Sequence, residues 1–264
     1  KRGKKESGFN LYKNVLGNPT NVLAPMVDLS ELAFRLFCRN HGAHLCYTPM
    51  LHSATFVRSI KYQREVFSTC PEDRPLAVQF CGTDADTLLK AARLVQPFCD
   101  AIDLNIGCPQ HVARRGSYGA YMMYDLDNVQ HIVSHLHKNL DIPIICKIRV
   151  FKDNTKTLAY ARMLVEAGCQ MLVVHGRTIN NKGRECSPAD WEILRLIKSS
   201  IKGVPVLANG NVLQGADIDA CMKYTKCDGV MSAYGMLLNP LLFESTAKNT
   251  KILQSGKKLP KVLK

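Results

Sequence analysis

The chain has 264 residues, 46% of them hydrophobic, enough to fill the core of one large α/β barrel or of two small domains. Its 35 Lys and Arg against 22 Asp and Glu leave a formal net charge of +13, which argues against a small neutral partner and for a polyanion, nucleic acid first. No run approaches 18 consecutive apolar residues, so the sequence predicts no membrane-spanning helix.

Residues 1–18 open on KRGKK and read as a basic N-terminal extension. They lack the apolar segment of a secretory leader, and the expected location is intracellular: cytoplasm, nucleus or organelle matrix. From residue 19, short runs rich in Val, Ile and Leu alternate with amphipathic stretches. NVLAPM leads into SELAFRLFCRNHG, where Ser30 is placed to cap a helix and Gly42 to end it. HLCYTPM and PLAVQF come next, the second ahead of DADTLLKAARLVQPF. AIDLNI and PIICKIRV precede NTKTLAYARMLVEAGC, MLVVHG precedes SPADWEILRLIKSS, PVLANG precedes GADIDACMKYTK, and GVMSAY closes the series. Eight strands alternating with helices at roughly 30-residue spacing predict a (β/α)8 TIM barrel over 19–247, with a lysine-rich tail at 248–264. An open doubly wound sheet fits less well, because APMVDLS offers no glycine-rich first turn.

The 11 cysteines are odd in number, contain no CxxC pair and often adjoin apolar residues, as Cys99, Cys146 and Cys169 do. That pattern suits reduced, buried thiols better than a disulfide framework or a zinc site.

In a barrel the chemistry collects where strands end at the upper mouth, and polar residues gather there: Pro25 and Met26, Gln79, Asn105 and Cys108, Lys147 and Arg149, His175, and Asn209. The period of two puts Asp103 with Asn105, and Lys147 with Arg149, on one inner face each. Two inward cations imply an anionic or electron-rich occupant, since an ion pair with Asp103 would satisfy one and leave the other. Gly210 and Gly235 permit close backbone approach in the loops that commonly hold phosphate in this fold. Cys108 stands between Gly107 and Pro109, away from a regular element, with Arg114, Arg115 and Lys147 expected nearby. This suits it to proton donation or nucleophilic attack.

Together these residues resemble the dihydrouridine synthase family, flavoenzymes that reduce particular uridines in tRNA. The resemblance runs from LAPMVDLSELAFR through CYTPMLHS, VQFCG, DLNIGCPQ, ARRGSYGA, CKIRV, VHGRT and ANGN to DGVMSA, in order. CYTPMLHS and GCPQHVARRGSYGAYM are most similar to the eukaryotic branch that acts at positions 16 and 17 of the D-loop. The resemblance implies FMN across the barrel mouth, touched by Pro25, Met26, Gln79, Lys147 and His175. Its phosphate would rest on Asn209, Gly210 and Asn211 and on Ala233, Tyr234 and Gly235, while Lys147 and His175 stabilise negative charge on the reduced ring. Cys108 would be the general acid that protonates uracil C5 as hydride reaches C6. Asn105 would bond the uracil edge and Arg149 and Arg177 would lie near the base, with Arg114 and Arg115 counted among the substrate residues. NADPH is the implied reductant, and tRNA or another structured RNA the implied partner.

The target base must leave its stack to reach such a pocket, at a cost of about a few kcal/mol that basic surface offsets through phosphate contacts. The family ordinarily continues into a helical domain that grips tRNA, whereas here NPLLFESTAKNTKIL runs into a lysine-rich tail. Three expectations follow: a truncated product, a protein or ribonucleoprotein partner that supplies that grip, or a present task other than tRNA modification. Tyr234 stands where the family more often has Glu or Arg and is expected to alter a phosphate contact. KGRECSPADW departs from the usual loop after the sixth strand and is expected to alter RNA fit. A second expectation, of another class, is a barrel of the same ancestry kept as an RNA-binding structural subunit of a ribonucleoprotein. A flavin barrel reducing a free small molecule sits poorly with the basic balance.

Overall fold

The structure, a computed structural model, describes residues 6–183 and 186–244. KRGKK, the tail at 248–264 and two residues of the KGRECSPADW loop, Arg184 and Glu185, lie outside the described residues.

Eight parallel strands form a closed ring: β1 (Asn21–Leu23), β2 (Leu45–Tyr47), β3 (Leu76–Cys81), β4 (Ala101–Ile106), β5 (Ile144–Arg149), β6 (Leu172–His175), β7 (Val206–Asn209) and β8 (Gly229–Ser232). Each pairs with the next, and β1 closes the ring on β8 through Val22 opposite Met231. This is the predicted (β/α)8 barrel. Two residues beyond β2, Leu51–His52, extend the edge of β3.

The α-helices around the ring include, in chain order, α1 (Leu32–Asn40), α2 (Ser53–Arg58), α3 (Ile60–Val66), α4 (Ala85–Val95), α5 (His111–Arg115), α6 (Leu126–Asn139), α7 (Asn154–Glu166), α8 (Trp191–Ser200), α9 (Gly215–Thr225) and α10 (Tyr234–Leu238). Aspartates start four of them: Asp84, Asp125, Asp153 and Asp190 accept main-chain N–H groups of the first turns of α4, α6, α7 and α8. Ser30 does not cap α1. Its hydroxyl is held by the main chain of Met26, whose N–H it accepts at 2.9 Å, and α1 begins after Glu31. Gly42 does end that helix, with φ of +95°.

Strand period two divides the core into shells. Outward residues such as Val78, Leu104, Ile148 and Val174 pack against helices, while Val22, Tyr47, Ala77, Ala101, Ile145, Val173 and Leu207 fill the barrel interior. Leu11, Tyr12 and Leu16 join that interior set from below. Residues 8–18 therefore form the barrel floor rather than an extension. Leu11 and Leu16 are buried, Tyr12 Oη donates to Asp228 O at 2.8 Å, and Gly8 N donates to Gln170 Oε1 at 2.8 Å. With the lower interior apolar and closed, the polar inward residues are left at the upper mouth.

Candidate active site

The register sets those residues side by side: Gln79 opposite Asp103, Asn105 opposite Lys147, Arg149 opposite His175, and His175 opposite Asn209. Above them lies a cavity of about 1010 Å³, the size of a cofactor pocket. Its walls come from β5 through β8 and β1. Pro25, Lys147, His175 and Arg177 line it, as do Asn209–Asn211 and Ala233–Gly235. Gln79, Asn105 and Cys108 belong to β3, β4 and the loop after β4, across the mouth.

Lys147 carries the uncommitted charge. Among the described residues its ammonium has no hydrogen-bond or ion-pair partner, and no ion pair with Asp103 forms. Burial lowers its pKa to about 8, Arg149 adds to the shift, and Asp103 and Cys108 oppose it. The cavity therefore offers an ammonium waiting for an anionic or electron-rich occupant.

His175 is a different group from the one expected. Burial and the surrounding Lys147, Arg149 and Arg177 push its pKa down to about 2, so the ring is neutral. Its Nε2 lies 3.1 Å from Arg177 Nη1, and a guanidinium only donates, so Nε2 accepts and the ring proton sits on Nδ1. Fixed positive charge in the cavity wall falls to Lys147 and Arg177. Arg177 is itself anchored, by Ser187 O at 2.7 Å and Asn211 Oδ1 at 2.8 Å.

The turn after β7 suits a phosphate. Gly210 has φ of +112° and Asn211 φ of +61°, and a Cβ on Gly210 would lie 2.6 Å from that of Ala189. Tyr234 and Gly235, at the start of α10, line the same cavity, and the first-turn N–H groups of a helix have no helical partners. A Cβ on Gly235 would strike Val212 O, so only glycine fits. Main-chain N–H groups on two neighbouring loops are an anion cradle.

Across the mouth, buried side chains form one directed chain. Gln79 Nε2 donates to Asp103 Oδ2 at 2.6 Å, Asn105 Nδ2 donates to Gln79 Oε1 at 2.8 Å, and Asn105 Oδ1 accepts the N–H of Cys108 at 2.9 Å and of Gly107 at 3.2 Å. Cys108 is half-buried and outside any disulfide. Gly107 is constrained as well: a Cβ there would lie 3.1 Å from Lys147 O.

Residues 22–263 match the family described as Dihydrouridine synthase (Dus). The chain belongs to that family. The tRNA-dihydrouridine(16/17) synthase-like protein of Rattus norvegicus is 50% identical over 242 residues, 91% of this chain and 55% of the relative. The tRNA-dihydrouridine(16/17) synthase of Schizosaccharomyces pombe is 48% identical over 243 residues, covering 91% and 61%. The tRNA-dihydrouridine(20a/20b) synthase-like protein of Homo sapiens is 37% identical over 230 residues, covering 86% and 71%. The chain thus spans roughly half to three fifths of its 16/17-type relatives. Among solved structures, 2-naphthoyl-CoA reductase with 2-naphthoyl-CoA superposes with a TM-score of 0.66 at 10% identity, covering 90% of this chain and 52% of that one. Mandelate oxidase with (S)-2-phenylpropionate gives 0.59 at 17%, covering 88% and 73%. Both share the fold alone.

Within this dihydrouridine synthase barrel the other expected residues lie outside the lining of that cavity. Arg149 faces the loops and not the cavity: Nε donates to Gly107 O at 2.9 Å, and Nη1 to Thr178 O at 2.9 Å and Asn181 O at 3.0 Å. Arg114 and Arg115 are exposed on α5 and line no part of the cavity, because the short helix turns them outward. Met26 packs into the outer shell, with its main chain held by Ser30. Gln79 is fully buried in the directed chain. Lys182, which no motif signals, docks the loop after β6 onto the cysteine loop, donating to Pro109 O at 2.9 Å. Cys186 and Leu213 line the cavity and were equally silent in the sequence. None of the 11 cysteines is in a disulfide, no cluster of described residues is set up for a metal, and no described helix is long and apolar enough to cross a membrane.

Proposed function

We propose that this chain reduces uridine to 5,6-dihydrouridine in the D-loop of tRNA, using FMN and NADPH. The single observation that carries the proposal is the cavity that joins an unpaired Lys147 ammonium to the glycine-rich turns at Gly210 and Gly235, with the Cys108 loop fixed across the mouth. FMN, when bound, supplies the hydride for uracil C6 and is recharged by NADPH.

The residues present fit that cofactor. Gly210–Asn211 and Tyr234–Gly235 would hold its phosphate, and Lys147 would stabilise negative charge on the ring. Neutral His175 would donate from Nδ1 only, since Nε2 is taken by Arg177. Asn105 holds the Cys108 loop, and the thiol delivers H⁺ to uracil C5, so uridine gains one hydride and one proton while NADPH becomes NADP⁺. Arg149 acts by joining Gly107 to the loop after β6 rather than by touching the base.

The reductant follows the names of the relatives, which specify NAD(P). The 16/17 site is favoured because relatives so named are 46% to 50% identical, against 34% to 37% for those named 20a/20b. A net charge of +13 suits RNA, and affinity should fall steeply with salt. Free thiols and an RNA substrate together favour an intracellular location, and a protein partner that adds RNA contacts is part of the same proposal.

Absorbance tests this directly. Purified protein should carry close to one flavin per chain, bleached by NADPH and reoxidised on addition of unmodified tRNA. Flavin that NADPH does not bleach, or protein that takes up no FMN, would favour the RNA-binding structural role instead.

A further inference from the structure

We infer that Asp103 is a positioning residue for Cys108, acting through Gln79 and Asn105; the inference rests on the reading of Cys108 as proton donor. Asp103 and Gln79 are 0% exposed and Asn105 is 7% exposed, so none of their polar groups turns to bulk water for a substitute partner.

The chain has only one self-consistent direction. The loop N–H groups at the far end can only donate, and with Asp103 Oδ2 as acceptor at the near end Gln79 turns its NH2 toward Asp103 and its Oε1 toward Asn105. Asn105 must then give its NH2 to Gln79 and leave Oδ1 for the N–H groups of Gly107 and Cys108. Without the acceptor at Asp103 the Gln79 NH2 is stranded in the core, and only inversion of both amides or movement of the segment relieves it. An inverted Asn105 would set its own NH2 against two loop N–H groups, and the loop would have to move. One acceptor on β4 thus holds the main chain of Cys108 beyond the end of that strand.

Asp103 and Lys147 act on one another electrostatically, but two further observations show that a counter-ion role is not the whole of it. No ion pair joins Asp103 to Lys147 among the described residues, and Asp103 Oδ1 is buried with no partner. Burial raises the Asp103 pKa to about 8, so the group is chiefly the neutral acid at neutral pH, with its proton on Oδ1 and Oδ2 left as acceptor. Asparagine reproduces that arrangement, with an oxygen for Gln79 and an NH2 in place of the O–H.

The test compares Asp103→Leu and Asp103→Asn with the parent protein in two assays. Iodoacetamide alkylation of Cys108, followed by mass spectrometry of its peptide in flavin-free protein, reads the loop. Single-turnover uridine reduction by pre-reduced protein reads the chemistry. Asp103→Leu should raise the alkylation rate by about three-fold or more and cut turnover by about ten-fold or more, since a misplacement of about 1 Å is that costly. Asp103→Asn should stay within about three-fold of the parent in both, because acceptor geometry and not charge is what it must keep. If Asp103→Leu does not fold, Gln79→Leu removes the next link and carries the same expectations. A smaller rise in alkylation, or Asp103→Asn behaving like Asp103→Leu, overturns the inference. The alkylation arm needs neither flavin nor RNA, so a parent protein that never reduces uridine refutes the functional reading while this inference is still decided.

Discussion

Asn105 Oδ1 accepts the main-chain N–H of Cys108 at 2.9 Å, so the residue expected to meet the substrate is also the residue that holds the thiol's loop. Asn105→Ala removes that acceptor and strands two N–H groups, one of them on the buried Gly107. Urea denaturation should show a loss of about 1–3 kcal/mol. Turnover should fall while flavin content holds, and loss of flavin with turnover per flavin unchanged would contradict the assignment.

Arg149 joins three main-chain carbonyls, Gly107 on one loop and Thr178 and Asn181 on the other. Lysine lacks the planar fork that reaches several carbonyls at once, so Arg149→Lys should keep charge and lose the bridge. Hydrogen exchange at the 107–108 and 178–182 amides should accelerate together, with stability lower by about 2 kcal/mol. Acceleration on one side only would show that the guanidinium does not couple them.

Three groups of the mouth give pH dependences of different sign. Asp103 rises from an ordinary 3.8 to about 8, so between those values the folded state binds more protons and stability falls as pH rises. His175 drops from 6.5 to about 2, so its contribution is full above pH 6.5 and is lost as pH falls through that window. Lys147 drops from 10.5 to about 8, so stability rises with pH across that interval. Urea melts at a series of pH values should therefore show Asp103→Asn gaining on the parent from about pH 4 to 8 and then running parallel to it. A constant difference across that range would place Asp103 in an ionised state throughout.

The barrel was legible because parallel strands buried on both faces leave continuous apolar runs, and PLAVQF, AIDLNI and PIICKIRV lie within two residues of β3, β4 and β5. Lys147, His175 and the Gly210 and Gly235 turns were legible for the same reason, since a strand end fixes where its last inward residue points. What stayed hidden depends on contacts between distant segments. Leu11, Tyr12 and Leu16 sit among Lys13, Asn14 and Asn18 in LYKNVLGN, and only the open bottom of the barrel makes them core. Arg114 and Arg115 are near Cys108 in sequence, yet α5 turns them to solvent. Arg149 has the right face for substrate, but the carbonyls of two loops reach it first. Asp103 looked like a counter-ion because charge is visible in a sequence and amide direction is not.

The central claim is that Cys108 gives the proton that completes uridine reduction. Its most direct measurement is the dihydrouridine yield, by mass spectrometry, from unmodified tRNA with pre-reduced parent protein and pre-reduced Cys108→Ala. General acid catalysis contributes about 100-fold or more, so Cys108→Ala should retain flavin and lose that factor in rate. Conversion by Cys108→Ala at the parent rate would contradict the account.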